Sequence, residues 1–185
     1  RLRSPTELAA VGEALFVAAN SRLWRTDATL QRVDLMHDFG SAPNAGASGL
    51  HAIDSLLYFY GTGATTSGWV SDGSRAGTRP LHAATTSRGA ESGFADMQDG
   101  RILFAAEKSL WRTRGTASTT ARIHAGVAPT DLTRLSTPTG PVVVFAGTTT
   151  DGQRELLVTK GPTSSLSLLL DTNGLESGEP RVLAA

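Results

Sequence analysis

Four tandem copies of one small all-β unit are what the sequence predicts, and three observations predict them. Trp24, Trp69 and Trp111 stand 45 and 42 residues apart, and a further 46 residues reach Leu157 in "RELLVTKGP". Around each of these anchors the same four strand-like segments recur in the same order. No stretch of 12 residues shows helical periodicity, and Gly, Ser and Thr punctuate every junction. Short antiparallel strands in sets of four, repeated every 40 to 50 residues or about that, are the signature of a β-propeller blade. A β-sandwich would not require the same anchor in every unit.

Taken in order, repeat 1 covers residues 4–46, repeat 2 residues 47–90, repeat 3 residues 91–128 and repeat 4 residues 129–176. The first segments alternate apolar residues only in part: "ELAAV" (7–11), "GLHAI" (49–53), "GFADM" (93–97) and "DLTRL" (131–135). The second segments are rich in residues that suit a pleated sheet: "ALFVAA" (14–19), "LLYFYG" (56–61), "ILFAAE" (102–107) and "VVVFAG" (142–147). The third carries the anchor, and the fourth follows a turn as "RVDLMHDF", "TRPLHAAT", "TARIHAG" and "LSLLLDT". In "GWVSDGSRAGT" (68–78) the tryptophan reads as a wedge between neighbouring units, so Trp24, Trp69, Trp111 and Leu157 are predicted as structural core. Asp72-Gly73 then turns the chain, because Asp holds local amides and Gly accepts positive φ. Residues 177–185 resemble the first strand of a fifth unit, since Val182 follows Leu170 by twelve residues as Phe94 follows His82. A surplus strand would be an unpaired edge, so the array is expected to be part of a larger ring, completed by further chain or by a second copy.

The stretch "GWVSDGSRAGT" resembles the ELWxxDGT repeat, a tandem module of large secreted bacterial proteins, prominent in myxobacteria. All four units match it in outline. The first has Ala28 for the glycine, the third Arg114 for the aspartate, and the fourth keeps Glu155-Leu156 but has Leu157 and Lys160-Gly161-Pro162 beyond. The resemblance implies a propeller-like array and an extracellular or cell-surface location, and it supplies no catalytic residues.

Composition narrows the function further. Seventeen basic residues are balanced by seventeen acidic ones, so no net field gathers phosphates, and neither nucleic acid nor an anionic membrane is an expected partner. With no cysteine there is no disulfide, thiolate nucleophile or sulfur-bound zinc. The longest apolar runs, such as "PVVVFAG" (141–147), fall far below the roughly 20 residues that span a bilayer.

Loop lengths point to a face. From each anchor to the residue thirteen positions on (His37, His82, His124, Leu170) the spacing is constant. From the second-strand aromatic (Phe16, Phe59, Phe104, Phe145) to the anchor it is 8, 10, 7 and 12 residues. In an up-and-down sheet that connection and the link to the next unit emerge on one side, and variable loops on a rigid scaffold are where binding residues are displayed. The candidates are Asn20, Arg22, Asn44, Thr65, Thr66, Arg88, Glu91, Glu107, Lys108, Asp151, Arg154, Asn173, Glu176 and Glu179.

Three histidines share position thirteen, and imidazoles repeated around an array could converge on a metal. Leu170 breaks the series, and the apolar position twelve (Met36, Leu81, Ile123, Leu169) implies that an alternating strand turns the histidines to a solvated face, so no metal and no cofactor is expected. No nucleophile–base motif or spaced carboxylate pair is visible, and the Asp-Gly pairs lack the acidic ladder of a calcium loop. The sequence therefore reads as a non-catalytic interaction module binding a protein or an extracellular polymer, with self-association as a further option. Lectin-like glycan binding and an enzyme site assembled across units are the other readings kept open.

Overall fold

Runs such as "LLYFYGT" and "PVVVFAGT" are too short to pay off as helices and too rich in aromatic and β-branched residues to favour them, so they pair as strands. The computed structural model describes residues 4–29, 31–83, 93–150, 152–160 and 166–170, and the residues predicted for a fifth unit lie outside them. Four antiparallel sheets of four strands result, each in simple meander order. Sheet 1 contains β1 (Pro5–Val11), β2 (Ala14–Ala19), β3 (Arg22–Thr26) and β4 (Val33–Asp38); sheet 2 contains β5 (Gly46–Ile53), β6 (Leu56–Thr62), β7 (Thr66–Ser71) and β8 (Arg79–Pro80). Sheet 3 contains β9 (Phe94–Asp96), β10 (Ile102–Ala106), β11 (Ser109–Thr113) and β12 (Ala121–His124). Sheet 4 contains β13 (Thr130–Thr137), β14 (Gly140–Thr148), β15 (Arg154–Thr159) and β16 (Ser167–Leu170). The described residues include no α-helix, only a short 3-10 turn at Ala117–Thr119.

The chain divides into two compact units, Arg1–Arg88 with sheets 1 and 2, and Gly89–Ala185 with sheets 3 and 4. Each unit has a core made where its two sheets meet. In the first, Phe16, Ala18, Leu23 and Met36 of sheet 1 pack against Ala47, Leu50, Leu57 and Phe59 of sheet 2. In the second, Leu103 and Leu110 of sheet 3 meet Val143, Phe145 and Leu157 of sheet 4. One interface is thus built twice, with Phe145 in the place of Phe59 and Leu157 in the place of Trp69.

The tryptophans are not the centre of these cores. Trp24, Trp69 and Trp111 are half-buried, whereas Phe16, Phe59, Phe104 and Phe145 are at most 1% exposed. Trp69 lies against its cluster, but Trp24, opposite Val17, and Trp111, opposite Phe104, stand on the sheet face turned away from the cluster of their own unit. The residue opposite the anchor is Val17, Phe59, Phe104 and Phe145 in turn, so in repeat 1 the equivalent of the phenylalanine is Val17 and not Phe16. Two residues further along the second strand comes a small residue, Ala19, Gly61, Ala106 or Gly147. At Gly61 the reason is direct: a Cβ would stand 2.5 Å from Phe39 Cε1 and 2.6 Å from Trp69 Cδ1.

The turn after the anchor strand is held by hydroxyls. Gly73 N–H donates to Ser71 Oγ (3.2 Å), Ser71 Oγ lies 2.7 Å from Thr78 Oγ1, and Thr78 Oγ1 donates to the Ser74 carbonyl (2.7 Å). A hydroxyl has one proton, so Thr78 spends its own on Ser74 and Ser71 must donate to Thr78. Sheet 3 repeats the chain with other letters: Gly115 N–H to Thr113 Oγ1 (3.0 Å), Thr113 to Thr120 Oγ1 (2.7 Å), Thr120 to the Thr116 carbonyl (2.7 Å). Asp72 adds a second fastening, accepting from Ser74 N–H (2.8 Å) and Ser74 Oγ (2.7 Å), which lowers its pKa. Asp27 accepts from Thr29 in the same way in sheet 1.

Position twelve is a β-bulge. In sheets 1, 3 and 4 the residue before the anchor pairs with position thirteen and the anchor with position eleven, leaving Met36, Ile123 and Leu169 as the extra residue. The bulge cancels the simple alternation assumed for this strand, and the histidines at position thirteen are half-buried and not on a solvated face.

Two outcomes are expected from denaturant unfolding. Phe59→Ala and Phe145→Ala should each lose about 3–5 kcal/mol, and Trp24→Ala clearly less, because the cavity term belongs to the fully buried ring. Thr78→Val keeps the shape of the side chain while removing both of its hydrogen bonds, so it should lose about 1–2 kcal/mol with an unchanged circular dichroism spectrum.

Candidate functional site

Where β2 ends, sheet 1 turns through only two residues, Asn20 and Ser21, with φ of 52° and 60°. Paired positive φ values match the twist of a two-residue hairpin, and Asn tolerates them well. The turn aims Asn20 outward and starts β3 at Arg22. The link to sheet 2 passes Asn44 (φ 61°) on the same side and enters β5 at Gly46, whose backbone runs close to Ser21. Asn20, Arg22 and Asn44 therefore line one cavity of about 310 Å³, together with Thr6, Ser48 and Thr62. Three predicted residues from two different connections are brought together here.

A second cavity of about 280 Å³ adjoins by way of an ion pair. Arg22 Nε donates to Asp38 Oδ2 at 2.7 Å, and while Arg22 lines the first cavity Asp38 lines the second, with His37, Thr65, Ser67, Trp69 and His82. Both partners are about two-fifths exposed, so the pair orients the guanidinium more than it stabilises the fold. The Gly40 N–H and then Arg22 hold the Asp38 carboxyl below its usual range, keeping it an anion at neutral pH. His37 packs on Trp69 (ring centroids 4.5 Å) and Phe39 (4.6 Å), and burial lowers its pKa, Asp38 opposing the shift. Burial likewise lowers that of His124 in sheet 3. Amides, hydroxyls, one guanidinium and one carboxylate make this a surface suited to hydrogen-bonded recognition of a polar ligand.

The other predicted residues lie elsewhere. Thr66 is buried and donates to Thr62 Oγ1 (3.2 Å). Glu107 and Lys108 form the two-residue turn of sheet 3 with φ of 51° and 54°, an unfavourable conformation for both. Arg154 is a structural brace, donating to the Ala128 carbonyl (3.3 Å) and Thr130 Oγ1 (2.7 Å). Arg88, Glu91, Asp151, Asn173, Glu176 and Glu179 lie outside the described residues. Among the described residues no three His, Cys, Asp or Glu side chains gather as a metal would need. Sequence reasoning missed Asp38 and the packing of His37 against Trp69 and Phe39; the string "HDFG", an Asp two residues before a Gly, is the signal that marks the Asp38–Gly40 turn.

Comparison with known proteins bears on the fold. No protein-family model and no curated protein sequence matches the chain. Among solved structures it is similar to the extracellular domain of a one-component system from B. thetaiotaomicron, at 10% identity and a TM-score of 0.60, over 95% of this chain and 24% of that one. It is also similar to a protein designated TolB from Agrobacterium tumefaciens, at 14% identity and a TM-score of 0.50, over 86% of this chain and 61% of that one. The chain thus spans less than two thirds of either structure. These neighbours are propeller-like, and at such identities the likeness carries the fold alone. No helix among the described residues is long and apolar enough to cross a membrane.

The histidines give a pH prediction. A base whose pKa is lower in the folded state binds fewer protons there than in the unfolded chain, so stability is full above the ordinary value of 6.5 and is lost as pH falls below it. The urea midpoint should therefore drop between pH 7.5 and about pH 5.5, and His37→Gln should shrink that drop.

Proposed function

We propose that the chain is a non-catalytic, β-propeller-type interaction module of a secreted or cell-surface bacterial protein, holding a protein or polymer on its variable-loop face. One observation carries the reading: Asn20, Arg22 and Asn44, displayed by two connections that vary between repeats, converge on one polar cavity beside a second one lined by His37, Asp38 and Thr65. Rigid turns fix all three, so little ordering entropy opposes binding.

Membership of the ELWxxDGT repeat class belongs to the same reading. It is supported by the Asp–Ser/Thr contact after the anchor in sheets 1 and 2 and by the hydroxyl chain in sheets 2 and 3. Completion of a larger ring is supported by Leu8, 58% exposed on the sheet 1 face that also bears Val17 and Trp24, away from sheet 2.

A panel of extracellular polysaccharides and peptides, read by biolayer interferometry, tests the binding face. Expected is a ligand whose affinity falls at least tenfold with Arg22→Ala and with Asn44→Ala. A panel in which no binder responds to either change overturns the reading.

A further inference from the structure

Sheets 2 and 4 meet the sheet before them with the same face. In sheet 2 that face carries Phe59 and, opposite it, Trp69; in sheet 4 it carries Phe145 and Leu157. Sheet 1 has the corresponding face and turns it away from sheet 2, so among the described residues of its unit no sheet lies against it. We propose that this face binds a second copy of the chain, receiving the outward face of that copy's sheet 4. The proposal rests on the ring-completion reading and commits it to one partner.

The sheet 1 face is apolar from edge to edge. Leu8, Val17, Trp24 and Leu35 stand opposite one another across β1, β2, β3 and β4, and Leu15 and Val33 lie in the next row on the same side. Val17 is buried and Trp24 and Leu35 are half-buried, but Leu8 is 58% and Val33 45% exposed. Large aliphatic side chains left in water at both edge strands of one sheet mark a contact surface.

The matching surface is in the same chain. Val143, Phe145 and Leu157 point to sheet 3, so strand alternation turns Val144, Leu156 and Val158 to the other face, along with Leu135, which stands opposite Val142. Val144 holds the place that Phe16 has in sheet 1, and Leu156 the place of Leu23, the two residues that sheet 1 presents to sheet 2. Leu135 is 48% exposed, and with Leu8 and Val33 it completes the exposed large hydrophobics of the described residues. All three fall on these two faces. On the outward faces of sheets 2 and 3 the large side chains, Tyr58 and Tyr60, Phe94 and Phe104, are buried.

Sheet 4 of one copy on sheet 1 of another therefore repeats the pairing that joins sheet 1 to sheet 2 and sheet 3 to sheet 4. The two surfaces differ, so the contact is heterologous, and each copy carries one of each.

Light scattering over a dilution series of the 185-residue chain tests this, beside Leu8→Lys and Leu135→Lys, each of which sets an unpaired ammonium in the contact. The parent chain is expected to associate, and each variant to remain a monomer. Both positions are about half exposed, so the fold tolerates lysine, which an unchanged circular dichroism spectrum verifies. Mixing the variants decides the geometry: Leu8→Lys keeps the sheet 4 surface and Leu135→Lys the sheet 1 surface, so together they should form a dimer and nothing larger. A monomeric parent chain, a variant that associates as the parent does, or a mixture that stays monomeric overturns the proposal. Association lost in Leu8→Lys but kept in Leu135→Lys would mean that sheet 1 faces pair with each other, and overturns it too. Ligand binding through Arg22 and Asn44 is read separately, so a monomer that retains it sinks the second copy and leaves the loop-face reading standing.

Discussion

A sheet of four short strands has two faces and too few residues to bury either alone, so every sheet here depends on the one beside it. The constraint is met by a repeated pairing in which an aliphatic or aromatic row from one sheet, Phe16 and Leu23 or Leu103 and Leu110, lies against a phenylalanine of the next, Phe59 or Phe145. Side chains of this size bury on the order of 150–250 Å² each when aromatic, enough to make the inter-sheet contact the main source of stability. The loops, turns and cavities are all fixed by how these pairs settle.

The strands were legible because local pattern and tertiary role agree: second-strand segments are apolar on both faces, since both faces are covered or nearly so. The anchors were legible as a period and misleading as a burial. Repetition marks a constrained residue without saying what constrains it, and for Trp69 the constraint is to cover Gly61 and to pack against His37 and, edge to face, against Phe39, at the rim of the core. Counting to the nearest aromatic put repeat 1 out of phase by one residue, because Val17 fills the place that phenylalanine fills elsewhere. The bulge at position twelve was hidden for another reason. Alternation is read by assuming even pleating, and Met36 or Ile123 looks the same in sequence whether the strand is pleated or bulged.

The candidate site was legible in part. Variable spacing picked out the face, and Asn20, Arg22 and Asn44 meet there because the two-residue turn and the link share an edge of the sheet. Arg154 carried the same sequence signal and is a brace, since nothing in its neighbourhood of the chain reveals that Ala128 and Thr130 stand across from it. Contacts between residues some 25 positions apart are set by packing, which one sequence does not display.

The hydroxyl chain also explains how the third repeat can lose its aspartate without losing its turn. Thr113, Thr120 and Thr116 complete the same circuit as Ser71, Thr78 and Ser74, while the Arg114 side chain lies near Gly100. Every member of that circuit is uncharged. Coulombic fastenings weaken as dissolved ions shorten the reach of charge, to about 3 Å in molar electrolyte, whereas a neutral hydroxyl chain has no such dependence. The corners of sheets 2 and 3 should therefore keep one geometry from fresh water to brine.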